Sequence, residues 1–144
     1  MERAPVLNTI GMVSDAQFCD INKDGNSDLV LVGDWMPVTI LLNKIKSFED
    51  VTSSYNLGAT TGLWRSLSCS DLDGDGKRDI VAGNYGLNNR YRPSINYPLS
   101  MYAADFGGSG QVKQVLASWK MNNYYPINSK DELSKQMLFF KPQV

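Results

Sequence analysis

The sequence predicts an all-β fold of about two four-stranded antiparallel propeller blades, a partial propeller with a short C-terminal helix, on three observations. The chain repeats itself: VSDAQFCDINKDGNSDLVLVGDW (13–35) matches WRSLSCSDLDGDGKRDIVAGNY (64–85) at an offset of 51, slipping to 50 after the central loop. Each copy reads as a hairpin, with an alternating lead-in, an acidic glycine-containing loop and a β-branched exit. Two more strand-like segments follow each hairpin, and four strands in a repeat of roughly 50 residues is the arithmetic of a propeller blade.

In chain order, residues 1–12 read as the end of a preceding blade or connection. Blade one spans 13–62. Its first strand sets Ala16 and Phe18 on one face, as Leu67 and Cys69 are set in the second copy, and LVLVG is the exit strand. PVTILLN (37–43) and SFEDVT (47–52) supply its third and fourth strands. Blade two spans 63–120, with DIVAG as its second strand and YPLSMYAAD (97–105) and VKQVLASWK (112–120) in the remaining slots. Residues 121–144 read as a loop and a helix. Ser129 with Glu132 forms a capping box, and Leu133, Met137, Leu138 and Phe140 give a helix running to about Phe140 one apolar side that docks on the last blade. Trp35, Trp64 and Trp119 are expected to pack between blades.

Composition bounds the function. The 144 residues suit one domain with a useful core, and 42% hydrophobic content is too apolar for a disordered chain. Fourteen basic against fifteen acidic residues leave no footprint for nucleic acid or a polybasic membrane patch. The absence of His removes the commonest general base, the Ser/His and Cys/His nucleophile pairs and imidazole-based zinc sites. No apolar run reaches the roughly 18 to 20 residues of a bilayer span, and MERAPVLNTI lacks the apolar stretch of a signal peptide. Cys19 and Cys69 lie in successive repeats. Sheets stacked about 10 Å apart would hold their Cα atoms beyond the roughly 7 Å reach of a bridge, so buried free thiols are expected.

The hairpin loops carry the chemistry. Asp20, Asn22, Asp24, Asn26 and Asp28 stand at positions 1, 3, 5, 7 and 9 of the first loop, and Asp71, Asp73, Asp75, Lys77 and Asp79 at those of the second, with Gly25 and Gly76 at position 6. Alternate oxygen-bearing side chains bent around a glycine turn can point at one centre, which suits a hard cation with six to eight oxygen ligands, namely Ca2+. Position 7 serves through its backbone carbonyl, so the Lys77 side chain is free to point outward. Two sites are expected, the second tighter for its four carboxylates against three. Both an EF-hand and a dockerin-type loop need an acid at position 12; here Leu31 and Ala82 stand there, inside β-branched runs.

DINKDGNSDLVLVG and DLDGDGKRDIVAG resemble the FG-GAP/VCBS-type repeats of integrin-alpha-like β-propellers, in which calcium sits in such a hairpin loop. The run GNYGLNNRYRPSINYPLSMYAADFGGSGQ, a YP pair and KDELSKQMLFF extend the likeness over most of the chain. They resemble the C-terminal part of large exported Bacteroidetes VCBS-repeat proteins related to the cartilage-acidic-protein type. The resemblance implies an extracellular, cell-surface or periplasmic location as part of a parent protein, and it implies no reaction.

A third acidic turn, Asp105, Gly107, Ser109 and Gly110, carries Gly107 and Lys113 where carboxylates would stand, and is expected to be an ion-free hairpin. The polar stretch 84–92 reads as an exposed loop. Within it Asn84, Tyr85, Asn88, Asn89 and Arg90 form a candidate ligand loop for a carbohydrate or protein. Two blades cannot close a ring of roughly four to eight. The chain is therefore expected to be a piece of a longer one whose further blades cover its bare faces, or to self-associate. The leading reading is a calcium-binding, non-catalytic binding or scaffold module; the alternative is a fragment of a propeller enzyme acting on polysaccharide, a lyase or glycosidase. Seven of the fifteen acids are loop ligands, and the others show no acid/base pairing in sequence.

Overall fold

The computed structural model describes residues 4–86, 91 and 93–137. It comprises two compact units, Met1–Tyr85 and Gly86–Val144, whose boundary falls within the segment expected as blade two.

The first unit opens with a 3-10 helix, Pro5–Thr9, followed by β1 (Met12–Cys19), β2 (Asp28–Met36), β3 (Thr39–Asn43), β4 (Phe48–Asp50), β5 (Gly62–Ser70) and β6 (Asp79–Asn84). Strands β1 to β4 pair antiparallel in succession, a four-stranded meander from Met12 to Asp50. The hairpin β5–β6 is the start of the second repeat. It joins the first through the far end of β2, where Asp34 pairs with Leu63 and Met36 with Gly62.

Because β2 and β3 are covered on both sides, they read as continuous apolar runs rather than alternating ones. One face sends Val30, Val32, Ile40 and Leu42 into a core with Cys19, Leu67, Cys69, Ile80 and Ala82. The other sends Leu29, Leu31, Met36 and Leu41 against Val6, Ile10 and Phe48, so the 3-10 helix covers part of that side.

The register explains a difference between the copies. Phe18 pairs with Leu29 and Cys69 with Ile80, and the offset of 51 holds along both strands to the far ends of the hairpins, where Val13 pairs with Gly33 and Trp64 with Asn84, so the slip to 50 expected after the loop is absent from the register. Phe18 and Cys69 thus occupy equivalent places on one blade face, as the alternation predicts. Successive repeats meet through opposite faces, and the Cys69 face packs inward while Phe18 is 64% exposed. On the opposite face of the second hairpin, Val81 is 49% exposed.

The cysteines correct the expectation of free thiols: Cys19 and Cys69 form a disulfide, with Cα atoms 6.5 Å apart. The 10 Å spacing of packed sheets does not hold between β1 and β5, which converge. Asp15 accepts a hydrogen bond from the Leu67 backbone N–H at 2.8 Å, tying the two strands directly. Trp64 packs beside the shared core as expected and donates its indole N–H to Thr60 O at 2.9 Å. Trp35 adopts a left-handed backbone, φ 61°, between the two residues of β2 that pair with β5.

In the second unit, β7 (Ser100–Ala104), β8 (Lys113–Lys120) and β9 (Asn123–Pro126) form a three-stranded antiparallel sheet in the order β7-β8-β9. The segments expected as the third and fourth strands of blade two do pair with each other, but as part of this separate sheet. Strand β9 lies where a loop was expected. Met121 and Asn122 both take positive φ, 45° and 63°, the requirement of a two-residue hairpin, and Lys120 then pairs with Asn123. Trp119 stacks on Tyr97, centroids 4.5 Å apart, and meets Tyr124 edge-on at 5.3 Å, so its packing is local to this unit.

Helix α1 spans Lys130–Gln136 and carries both bonds of the capping box, Glu132 N–H to Ser129 Oγ at 3.3 Å and Ser129 N–H to Glu132 Oε2 at 2.8 Å. It stops short of the expected end near Phe140 because Met137 turns extended, φ −127°. Leu133 and Met137 pack with Val115 of β8, while Leu138 and Phe140 lie outside the described residues. Ser129→Ala is expected to cost about 1 kcal/mol of local helix stability, read as faster amide exchange in Lys130–Gln136 with the first unit unaffected.

Candidate functional site

Both hairpin loops fold by one rule, set by the carboxylate at position 1 and a left-handed residue at position 6. In the first, Asp20 accepts from Asp24 N–H at 3.1 Å and Gly25 N–H at 2.9 Å; in the second, Asp71 accepts from Gly74 N–H and Gly76 N–H, both at 2.8 Å. Gly25 and Gly76 sit at φ 84° and 76°, where a side chain would be strained, and position 4 is left-handed too, as Lys23 at 61° and Gly74 at 79°. Position 3 receives position 5: Asn22 Oδ1 and Asp73 Oδ1 each accept the following Asp N–H at 3.0 Å. Position 9 closes the loop by accepting the position 2 N–H, Ile21 to Asp28 and Leu72 to Asp79, each at 2.9 Å.

The second loop brings carboxylate oxygens of Asp71, Asp73 and Asp79 within 4.8 Å of one another, the one such acidic cluster among the described residues. This donor set, three hard anionic oxygens around a turn, fits an oxygen-ligated divalent cation. Asp75 stands apart from it. Its Oδ2 takes the Lys77 ammonium at 2.7 Å, so Lys77 is engaged rather than pointing freely outward. That ammonium, then the Lys77 backbone N–H, holds the Asp75 carboxyl below its ordinary value, and the Lys77 ammonium is raised in return.

The first loop uses its amides differently. Asp24 accepts from Asn26 N–H at 2.8 Å, Asn26 Nδ2 at 2.9 Å and Asn22 Nδ2 at 3.0 Å. The Asn26 backbone N–H, then the Asn22 amide, hold its carboxyl below the ordinary value. Asp28 is fully buried, and its second oxygen accepts Asn43 N–H from the end of β3 at 2.8 Å. This buried bridge to β3 is a role that loop spacing alone does not signal.

The third turn repeats the position 1 rule. Asp105 accepts from Gly110 N–H at 2.6 Å, Ser109 N–H at 3.0 Å and Gly107 N–H at 3.2 Å. These donors, Gly110 first, hold its carboxyl below the ordinary value. Gly108 and Gly110 are left-handed, and Lys113 at position 9 bonds Gln111 Oε1 at 3.1 Å.

Of the candidate ligand loop, Asn84 ends β6 and Tyr85 follows it, donating its N–H to Leu63 O at 2.9 Å; Asn88, Asn89 and Arg90 lie outside the described residues. Arg65 lies 5.2 Å from the Tyr85 ring centroid and 3.1 Å from Asp34 Oδ1. The latter contact is electrostatic, because Asp34 Oδ1 has no aligned hydrogen-bond donor. No sequence spacing signals this cation–aromatic–carboxylate group, because its members come together through the β2–β5 junction.

Residues 20–82 match the family model described as an FG-GAP-like repeat. The match begins at the first loop and ends within β6, so it takes in both acidic turns and the interface between the repeats. No curated protein and no solved structure matches the chain. Fold and repeat together define an all-β, β-propeller-like module.

Proposed function

We propose that the chain is a calcium-binding, non-catalytic binding or scaffold module of an exported or cell-surface propeller protein. The convergence of Asp71, Asp73 and Asp79 in a turn whose backbone recurs at Asp20–Asp28 carries this reading. A bound Ca2+ would supply charge neutralisation to each loop. Within the loops, Asp71 and Asp20 hold the turn by accepting backbone N–H groups, and Asp79 and Asp28 fix the hairpin ends. These are structural duties, which supports the non-catalytic assignment.

An exported location is supported by the disulfide, a bond characteristic of oxidising compartments. Among the described residues no helix is long and apolar enough to cross a membrane. The likeness to the large VCBS-repeat proteins supplies the parent: further blades, or a second copy, would cover the faces that carry Phe18 and Val81.

Calcium titration by calorimetry is expected to show about two sites per chain, and Asp73→Asn to abolish the tighter. Saturation at about a hundred times Kd would add roughly 2.7 kcal/mol per site, seen as a rise in Tm that EGTA reverses. Zero stoichiometry overturns the proposal.

A further inference from the structure

We infer that the Cys19–Cys69 disulfide and cation uptake by the two acidic loops are thermodynamically linked, each strengthening the other; this rests on the calcium reading above. Cys19 immediately precedes Asp20, and Cys69 lies two residues before Asp71, so the bridge joins the two strands where each enters its loop. The loops also lie side by side. Lys23 Nζ, from the first, is 3.5 Å from where a side chain on Gly76 of the second would begin. Apart from the bridge, Asp15 to Leu67 N–H ties β1 to β5 further from the loops.

The bridge therefore holds in place two strand ends whose next residues are the position 1 carboxylate of one loop and the residue before it in the other. Opening it releases those ends, and binding must then supply the order that the covalent link supplies in the oxidised chain. Linkage makes the effect reciprocal: if the bridged form takes the cation more tightly, the loaded form resists reduction by the product of the factors at the loops it fills.

Reduction by a dithiol such as dithiothreitol breaks the S–S bond in two exchange steps. Two electrons and two protons pass to Cys19 and Cys69, giving two thiols, and the reductant leaves as its cyclic disulfide.

The test uses the whole chain. Calorimetry with Ca2+ on the oxidised protein and on the Cys19→Ser/Cys69→Ser variant is expected to show binding about tenfold weaker at each loop in the variant. The second measurement does not depend on the variant folding. The thiol–disulfide equilibrium of the unmodified chain is set against reduced and oxidised dithiothreitol, once in saturating Ca2+ and once in EGTA, and free thiols are counted after acid quench. The expected result is a shift toward the disulfide in Ca2+ equal to the product of the changes at the two loops, about a hundredfold when each binds tenfold weaker, equivalent to about 60 mV. Equal equilibria in Ca2+ and EGTA, with calorimetric binding present, overturn the linkage and leave the calcium reading standing. Absence of calorimetric binding to the oxidised chain overturns both.

Discussion

Asp28→Ala is expected to destabilise the first unit by about 3–5 kcal/mol, because it strips the acceptor from two charge-assisted hydrogen bonds worth about 1.5–3 kcal/mol each. The carboxylate is fully buried, and its two oxygens serve Ile21 N–H and Asn43 N–H, holding the first loop, β2 and β3 together. Asp28→Asn is expected to recover little, since its amide NH2 would face one of those two N–H donors. Asp79→Ala at the equivalent place is expected to cost about 1 kcal/mol, because the Leu72 N–H it leaves is exposed to water. Urea unfolding of both variants in EGTA separates this structural role from any ligand role. A loss under 1 kcal/mol for Asp28→Ala would refute it.

Removing the disulfide is expected to cost about as much. Cys19 and Cys69 are separated by 50 residues, and closing a loop of that length restricts the unfolded chain by about 4 kcal/mol in the entropic model. Cys19→Ser/Cys69→Ser should therefore shift the denaturation midpoint strongly. Either single substitution should match the double one, since each breaks the same bond. A double variant as stable as the parent would mean that the bridge contributes nothing to the fold.

The loops were legible from residue types because their geometry is local. An acid at position 1, glycine at position 6 and an acid at position 9 suffice to place the turn, and Asp20, Gly25 and Asp28 do what that pattern requires. The engagement of Asp75 by Lys77 was not legible, since spacing gives the position of a side chain but not the rotamer that a neighbouring cation selects. The disulfide is not legible from a distance typical of sheet centres, because β1 and β5 converge at Cys19 and Cys69. The numbering held a clue, because the repeat offset is 51 and the cysteines are 50 apart. Cys19 and Cys69 are therefore not equivalent residues. In adjacent, alternating positions of the repeat they belong to opposite faces, as two residues meeting across an interface between successive copies must. Strand β9 was missed because Met121 and Asn122 are not the glycine-bearing pair that usually announces a two-residue hairpin.

The use of opposite faces at that interface has a consequence for how such a chain lengthens. The surface that one repeat offers to the next differs from the one it offers to the last, yet both are encoded in a single unit. Duplicating that stretch of gene copies the donor and acceptor sides together, so an added unit arrives already able to dock at either end. Such a contact has no built-in stop, unlike a two-fold interface that saturates at a pair. The array must end either by curving back to meet its own beginning or by covering its last face with something that is not a repeat. Short irregular segments can share such a face with a neighbouring unit: Val6 of the 3-10 helix and Ile10 just after it cover part of the side that Leu29 and Leu31 present, while Phe18 on that side stays exposed.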